Sequence, residues 1–239
     1  MSESLSIVEG YADFDVPSAG KACKTWYKVF GDLTAGHRLL VALHGGPGCI
    51  HKYLVVLSQL TQTHSIPLVL YDQLGNGSST HLPEKMGDTS FWTMQLFLDE
   101  LNNLLSHLGI QDNYDLLGHS FGGMLASEHA VTQPKGLKRL IIASSPASMG
   151  LWVEAADKLR AHLPQEIQDA LTKHEKNGTT DSKEYLDAVD VFYARHLCIL
   201  KPMPAELLEA LEAINKDPTV YHTMQVCSQY LSWHANVQV

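Results

Sequence analysis

The apolar run Tyr114-Asp115-Leu116-Leu117 passes directly into Gly118-His119-Ser120-Phe121-Gly122-Gly123, and few folds accommodate such a junction. A strand that becomes a helix within one residue leaves room only for glycine at the positions flanking the turn. Gly118 and Gly122 stand at those positions and place Ser120 at the apex. A serine hydroxyl is a weak nucleophile at neutral pH, so sharp exposure at such a turn marks it for chemistry. The competing reading is a glycine-rich turn with an incidental serine, and the segment upstream decides against it.

There a second apolar run, Leu39-Leu40-Val41-Ala42-Leu43, leads straight into His44-Gly45-Gly46-Pro47-Gly48. A serine presented at such a strand-to-helix turn takes two backbone N–H groups for the developing oxyanion, one from the residue after the nucleophile and one from a loop following an early strand. Phe121 and Gly46 are the candidates. Such donors contribute roughly 3 to 4 kcal/mol each. His44 and Gly45, which open the loop, are expected to contact the substrate. A third segment, Tyr71-Asp72-Gln73-Leu74-Gly75-Asn76-Gly77-Ser78-Ser79, follows Ile66-Pro67-Leu68-Val69-Leu70. Asp72 reads as a turn-former holding this loop beside the serine.

HGGPG, DQLGNGSS and GHSFGG, in this order, resemble the proline iminopeptidase family of α/β-hydrolase serine peptidases. The resemblance runs from about residue 7 to about residue 224, where Asp217-Pro218-Thr219-Val220-Tyr221-His222-Thr223-Met224 is similar to a family segment. It implies an α/β-hydrolase fold: a mostly parallel sheet flanked by helices, with an inserted helical cap over the active site. It also implies a small peptide or amino-acid amide as substrate, with Ser120 carrying the acyl group and no metal or cofactor. An epoxide hydrolase is disfavoured, because that chemistry needs Asp where Ser120 stands.

Strands are expected near 23–30, 38–43, 66–71, 113–117 and 137–143. The alternation with helices predicts parallel pairing, which gathers catalytic groups at the carboxyl ends of the strands. The clearest helix is 91–108, where Met94, Phe97, Leu98, Leu101, Leu104, Leu105 and Leu108 recur at helical spacing. Thr89 or Ser90 is expected to cap its start and Gly109 its end. Amphipathic helices are expected over 151–163, 165–174, 182–196 and 204–214. The domain division is therefore a core of residues 1–145, a helical cap of 146–225 and a divergent tail of 226–239.

At 239 residues and 45% hydrophobic the chain can bury a full core. A net charge of −9 without a Lys/Arg cluster argues against nucleic acid and anionic membranes. No apolar stretch reaches the 18 residues or so that a membrane span requires, and residues 1–6 lack the basic-then-apolar pattern of a signal peptide. A cytoplasmic location is expected. Cys23, Cys49, Cys198 and Cys227 are scattered and form no CxxC, which favours reduced thiols over disulfides or zinc.

The acid and base of the triad are not evident. In this fold they follow the nucleophile in the order acid, then His. After Ser120 the histidines are His129, His162, His174, His196, His222 and His234, and none follows a recognisable strand. Asp217 with His222 or His234 is the one pair in the right order, and Asp217-Pro218 reads as a turn. Relatives carry a glutamate for the substrate amino group shortly after the VYHTM-like stretch, whereas Gln225–Val239 contains none. The C-terminal strands and helix of the fold are therefore expected to be missing, through a changed frame or exon after Met224 or Gln225. Two consequences are expected: an open sheet edge at 137–143 prone to self-association, and, as an alternative to catalysis, an inactive form that acts as a binding or regulatory module.

Overall fold

The computed structural model describes residues 5–226. Six strands form one sheet: β1 (Ile7–Phe14), β2 (Cys23–Phe30), β3 (Leu39–Leu43), β4 (Leu68–Tyr71), β5 (Tyr114–His119) and β6 (Leu137–Ala143), in the spatial order β1-β2-β4-β3-β5-β6. β3, β4, β5 and β6 pair in parallel, as the alternation of strands and helices requires. β1 and β2 depart from the expected parallel pairing. β1 is antiparallel to β2, and β2 to β4. A parallel neighbour needs a crossover of about a dozen residues or more, and the short link between β1 and β2 holds only a 3-10 turn at Pro17–Ala19. β1 escapes a reading of the sequence because only Ala12 and Phe14 of its residues are buried.

The central strands are buried on both faces, which is why they read as continuous apolar runs. Leu39, Val41 and Leu43 of β3 face one core with Val69, Tyr71 and Leu116, covered by helices α2 (Met94–His107) and α3 (Phe121–Val131). Leu40 and Ala42 point the other way, with Leu68 and Leu70, against Leu54 of a 3-10 segment (His51–Leu57) that leads into α1 (Ser58–His64).

Helix α2 begins later than its apolar spacing suggested. Thr93, not Thr89 or Ser90, accepts the Leu96 N–H, because Asp88 captures the N–H groups of Phe91 and Trp92 in a separate turn. Gly109 does end the helix, with φ of 66° and with the Ile110 N–H returning to the Leu105 carbonyl.

The edge expected at 137–143 is β6, the last strand in the order among the described residues, and its apolar Ile141 and Ile142 are 45% and 51% exposed. Among the described residues β5 is the one strand that pairs with β6, and α3 packs against it.

After β6 come α4 (Met149–Arg160), α5 (Gln165–Asn177), α6 (Lys183–His196), α7 (Ala205–Lys216) and α8 (Thr219–Val226). α5 and α6 enclose a small core of their own, built on Leu171, Tyr185, Val189 and Phe192. α8 instead joins the main core through Val220 and Met224. Cys23, Cys49 and Cys198 are free thiols, and Cys227 lies outside the described residues. Among the described residues no helix is long and apolar enough to cross a membrane.

Candidate active site

β4, β3 and β5 lie side by side, so the three segments that follow them meet at one edge of the sheet. Ser120 occupies the turn between β5 and α3 with φ of 54° and ψ of −121°, a conformation that costs a non-glycine residue of order 1–3 kcal/mol. The Ser120 N–H donates to the Ala143 carbonyl of β6, and its own carbonyl accepts from Gly123 and Met124. The surrounding fold therefore fixes both sides of the turn. The Ser120 hydroxyl forms no hydrogen bond to a described residue.

The loop after β3 lies against the serine. A Cβ on Gly45 would sit 2.9 Å from the Ser120 Cβ, so only glycine permits this approach. Gly46, at φ of 116°, adopts a left-handed backbone that L side chains rarely tolerate. Gly46 and Phe121 both line the cavity that contains Ser120. Phe121 opens α3, where the first N–H groups have no partner within the helix. Neither its N–H nor that of Gly46 is bonded to another described residue. Two unengaged backbone donors thus flank the hydroxyl.

His44 has a different place from the one its sequence position suggested. It is fully buried, and both ring nitrogens are occupied. Nδ1 lies 2.9 Å from the Gly45 carbonyl and Nε2 accepts the Gln73 N–H at 3.0 Å. That pattern fixes the Nδ1–H tautomer, and burial holds its pKa below the ordinary imidazole value. The Gln73 side chain returns a hydrogen bond to the His44 carbonyl at 3.1 Å. His44 ties the loop after β3 to the loop after β4 and presents no free nitrogen to a ligand.

Asp72 is a turn-former with several partners. Its carboxylate accepts the N–H and Nδ1 of His51, at 2.9 and 2.8 Å, and the Ser78 N–H at 3.0 Å. Burial pushes its pKa up, but the His51 hydrogen bond and charge prevail and hold it below the usual carboxylate range.

Three further contacts escaped the sequence. The Tyr53 hydroxyl accepts the Gly45 N–H at 2.7 Å and lies 2.9 Å from Nδ1 of His119. Burial lowers the His119 pKa below the ordinary imidazole value. Tyr53 thereby joins the residue before Gly46 to the residue before Ser120. The second contact is His81 with Asp217, whose other oxygen accepts the Thr219 N–H at 3.0 Å.

The third is Glu100 of α2, fully buried beneath the loop after β4. It accepts the Thr25 hydroxyl at 2.6 Å and the Leu74 N–H at 2.9 Å. A carboxylate at i+3 from Phe97 and i−4 from Leu104, inside an apolar stripe, was the available signal. Desolvation raises its pKa from 4.5 to about 8. The folded state therefore binds an extra proton between those values, so its contribution to stability is complete below about pH 4.5 and is lost as pH rises to about 8. Urea unfolding should show the chain losing a few kcal/mol across this window. Glu100→Gln keeps an acceptor for Thr25 and Leu74 and should flatten the profile; an unchanged slope would assign the pH dependence elsewhere.

The histidines after the nucleophile are engaged away from it or exposed. His129 Nε2 meets the Tyr114 hydroxyl at 2.5 Å, His162 bonds the Lys158 carbonyl, and His174 lies among Thr179, Ser182 and Glu184. His196 packs on Phe192, and His222 is exposed on α8. Asp217 is committed to His81 and does not form the acid–base pair considered with His222. His234 lies outside the described residues. Among the described residues no cluster of His, Cys, Asp and Glu could hold a metal ion.

Ser120 stands where two cavities meet. One, of about 190 Å³, is lined by Met94, Met124, Met149, Met224 and Trp152; the other, of about 350 Å³, opens toward α6, α7 and α8. Gly46 borders both.

The chain is similar to known proteins along most of its length. Residues 38–189 match the model of the alpha/beta hydrolase fold family. A proline iminopeptidase of Clostridium botulinum is 38% identical over 193 residues, covering 80% of this chain and 62% of that protein. One from Saccharolobus solfataricus is 35% identical over 216 residues, covering 90% and 66%. The chain thus spans less than two thirds of the length of these curated relatives. Among solved structures, proline iminopeptidase of Mycobacterium smegmatis superposes with a TM-score of 0.81 at 42% identity, covering 91% of this chain and 70% of that one. VinJ superposes at 0.82 with 48% identity, covering 89% and 69%. The strand-elbow-helix turn, the glycine loop beside it and these likenesses along most of the chain agree, and the chain belongs to the alpha/beta hydrolase fold and, within it, to the proline iminopeptidase family.

Proposed function

We propose that this chain is built for acyl transfer through Ser120, releasing an N-terminal proline or another small residue from a peptide or amide. Ser120 attacks the acyl carbon as its hydroxyl proton is given up, the Gly46 and Phe121 N–H groups receive the oxyanion, and the leaving nitrogen takes that proton as its bond to the acyl carbon breaks, leaving an ester on Ser120. Water then cleaves that ester, releasing the acid and returning a proton to the Ser120 oxygen. His44 and Gly45 act through the loop: the buried ring anchors it, and the bare Gly45 backbone lets it close on the serine. The observation that carries this reading is the strained Ser120 turn between two unengaged backbone donors. Exposed to the 4-nitrophenyl ester of proline and quenched in acid before the ester is hydrolysed, the protein should carry one prolyl group, located on Ser120 by peptide mass spectrometry. An adduct confined to another residue, or none, overturns the assignment.

A second reading is favoured by one observation: no described histidine bonds the Ser120 hydroxyl. Loss of the histidine from a triad costs on the order of 10⁶ in kcat and leaves roughly 10³ to 10⁴ over water. On this reading the 239-residue chain binds its ligand without appreciable turnover. Release of 4-nitroaniline from proline 4-nitroanilide on the order of 1 to 10³ s⁻¹, an ordinary enzymatic rate, rejects it.

A further inference from the structure

The larger of the two cavities at Ser120 is walled by side chains of three helices. Tyr193 comes from α6 and Leu197 from its end, Leu207, Leu211 and Ile214 from α7, and Tyr221 from α8. Among the described residues no Asp, Glu, Lys or Arg lines it. Its titratable members are a thiol, phenols and one imidazole. Burial pushes the Cys49 thiol up to about 12, raises the Tyr53 and Tyr193 phenols and lowers the His119 imidazole. Each of these groups is driven toward its neutral form.

An acyl carbon on Ser120 must send its two substituents in different directions, and two cavities of unequal size are present for them. With a single small residue as the acyl group, the 190 Å³ cavity suffices for it and the 350 Å³ cavity takes what leaves. We propose that the α6–α8 chamber is a leaving-group site that selects bulky, apolar, uncharged amines or alcohols and disfavours leaving groups bearing a carboxylate close to the scissile bond. This rests on the reading of Ser120 as the nucleophile. The physical reason is desolvation: an unpaired carboxylate moved into a wall of leucine, isoleucine and tyrosine loses its hydration and gains no cation in return. A short peptide leaving with its free C-terminus at this depth meets that penalty, whereas an aryl or aliphatic amine gains from burial.

The test separates the chamber from the chemistry. Full-length protein carrying Ser120→Ala, which cannot form the acyl-enzyme, is titrated with 2-naphthylamine and with 6-amino-2-naphthoate, followed by ligand fluorescence. The two probes share a ring and differ by one carboxylate. The amine should bind about tenfold or more tightly. Leu211→Arg supplies a counter-charge and should narrow or reverse the preference; Leu207→Lys, on the same helix, does so independently should the first variant misfold. Equal affinities, tighter binding of the naphthoate, no binding of either probe, or a preference that folded Leu211→Arg and Leu207→Lys proteins both leave unchanged would each overturn the proposal. A chain that shows the preference but acquires no prolyl adduct on Ser120 retains the chamber and loses the hydrolase reading.

Discussion

Replacement of Ser120 should separate reactivity from stability in opposite directions. Treated with a serine-directed fluorophosphonate, the protein is expected to acquire a single adduct on Ser120, and Ser120→Ala and Ser120→Gly should both abolish it. The two variants then diverge. Alanine keeps the Cβ that strains the backbone at φ of 54° and ψ of −121°, so its unfolding free energy should match that of the parent within about 0.5 kcal/mol. Glycine removes the Cβ and should raise stability by about 1 kcal/mol or more, since a residue held in this region costs of order 1–3 kcal/mol. A position that is less stable as serine than as glycine, yet is the one that reacts, is strained for a chemical purpose. Persistence of the adduct on another serine, or destabilisation by glycine, would sink the assignment.

The second large effect concerns Gly122, the second residue of α3. Helix propensity alone favours alanine over glycine by about 1 kcal/mol. Packing gives the opposite sign. A Cβ at Gly122 would lie 2.4 Å from the Leu43 carbonyl oxygen and 2.6 Å from that of His44, backbone atoms at the end of β3 that cannot swing aside. A Cβ at Gly118 would lie 2.1 Å from the Gly122 carbonyl. α3 must therefore lift from the sheet. Gly122→Ala and Gly118→Ala are each expected to cost about 3 kcal/mol or more, at the upper end of overpacking penalties, and to lower Tm by about 6–12 °C for a chain of this size. Because Phe121 moves with the helix, Ser120 phosphonylation should fall together with stability. A stabilised Gly122→Ala protein would show that propensity prevails and that the close approach is absent.

Much of this was legible in the chain. β2 to β6, α2 and α4 to α7 follow from local rules, because their apolar spacing records which face each must bury. The elbow and the glycine loop were legible for a steric reason: where two backbones approach within a Cβ's reach, only glycine survives, and that requirement is written residue by residue. β1 was not legible, since a strand with two buried side chains leaves little periodic trace. The start of α2 was misplaced because capping at Thr93 depends on Asp88 having already drawn Phe91 and Trp92 into another turn.

What the sequence by itself determined is the fold, the family and the residue at the apex of the turn, all carried by short-range patterns. What only the tertiary structure decided is how distant side chains pair: His44 inward to Gln73 rather than outward to a ligand, Tyr53 across to Gly45 and His119, Asp217 to His81, Glu100 up to Leu74, and two unequal cavities on either side of Ser120. Such pairings depend on the three-dimensional neighbours that satisfy each buried donor and acceptor, and a polar side chain finds those neighbours only after the apolar faces have packed.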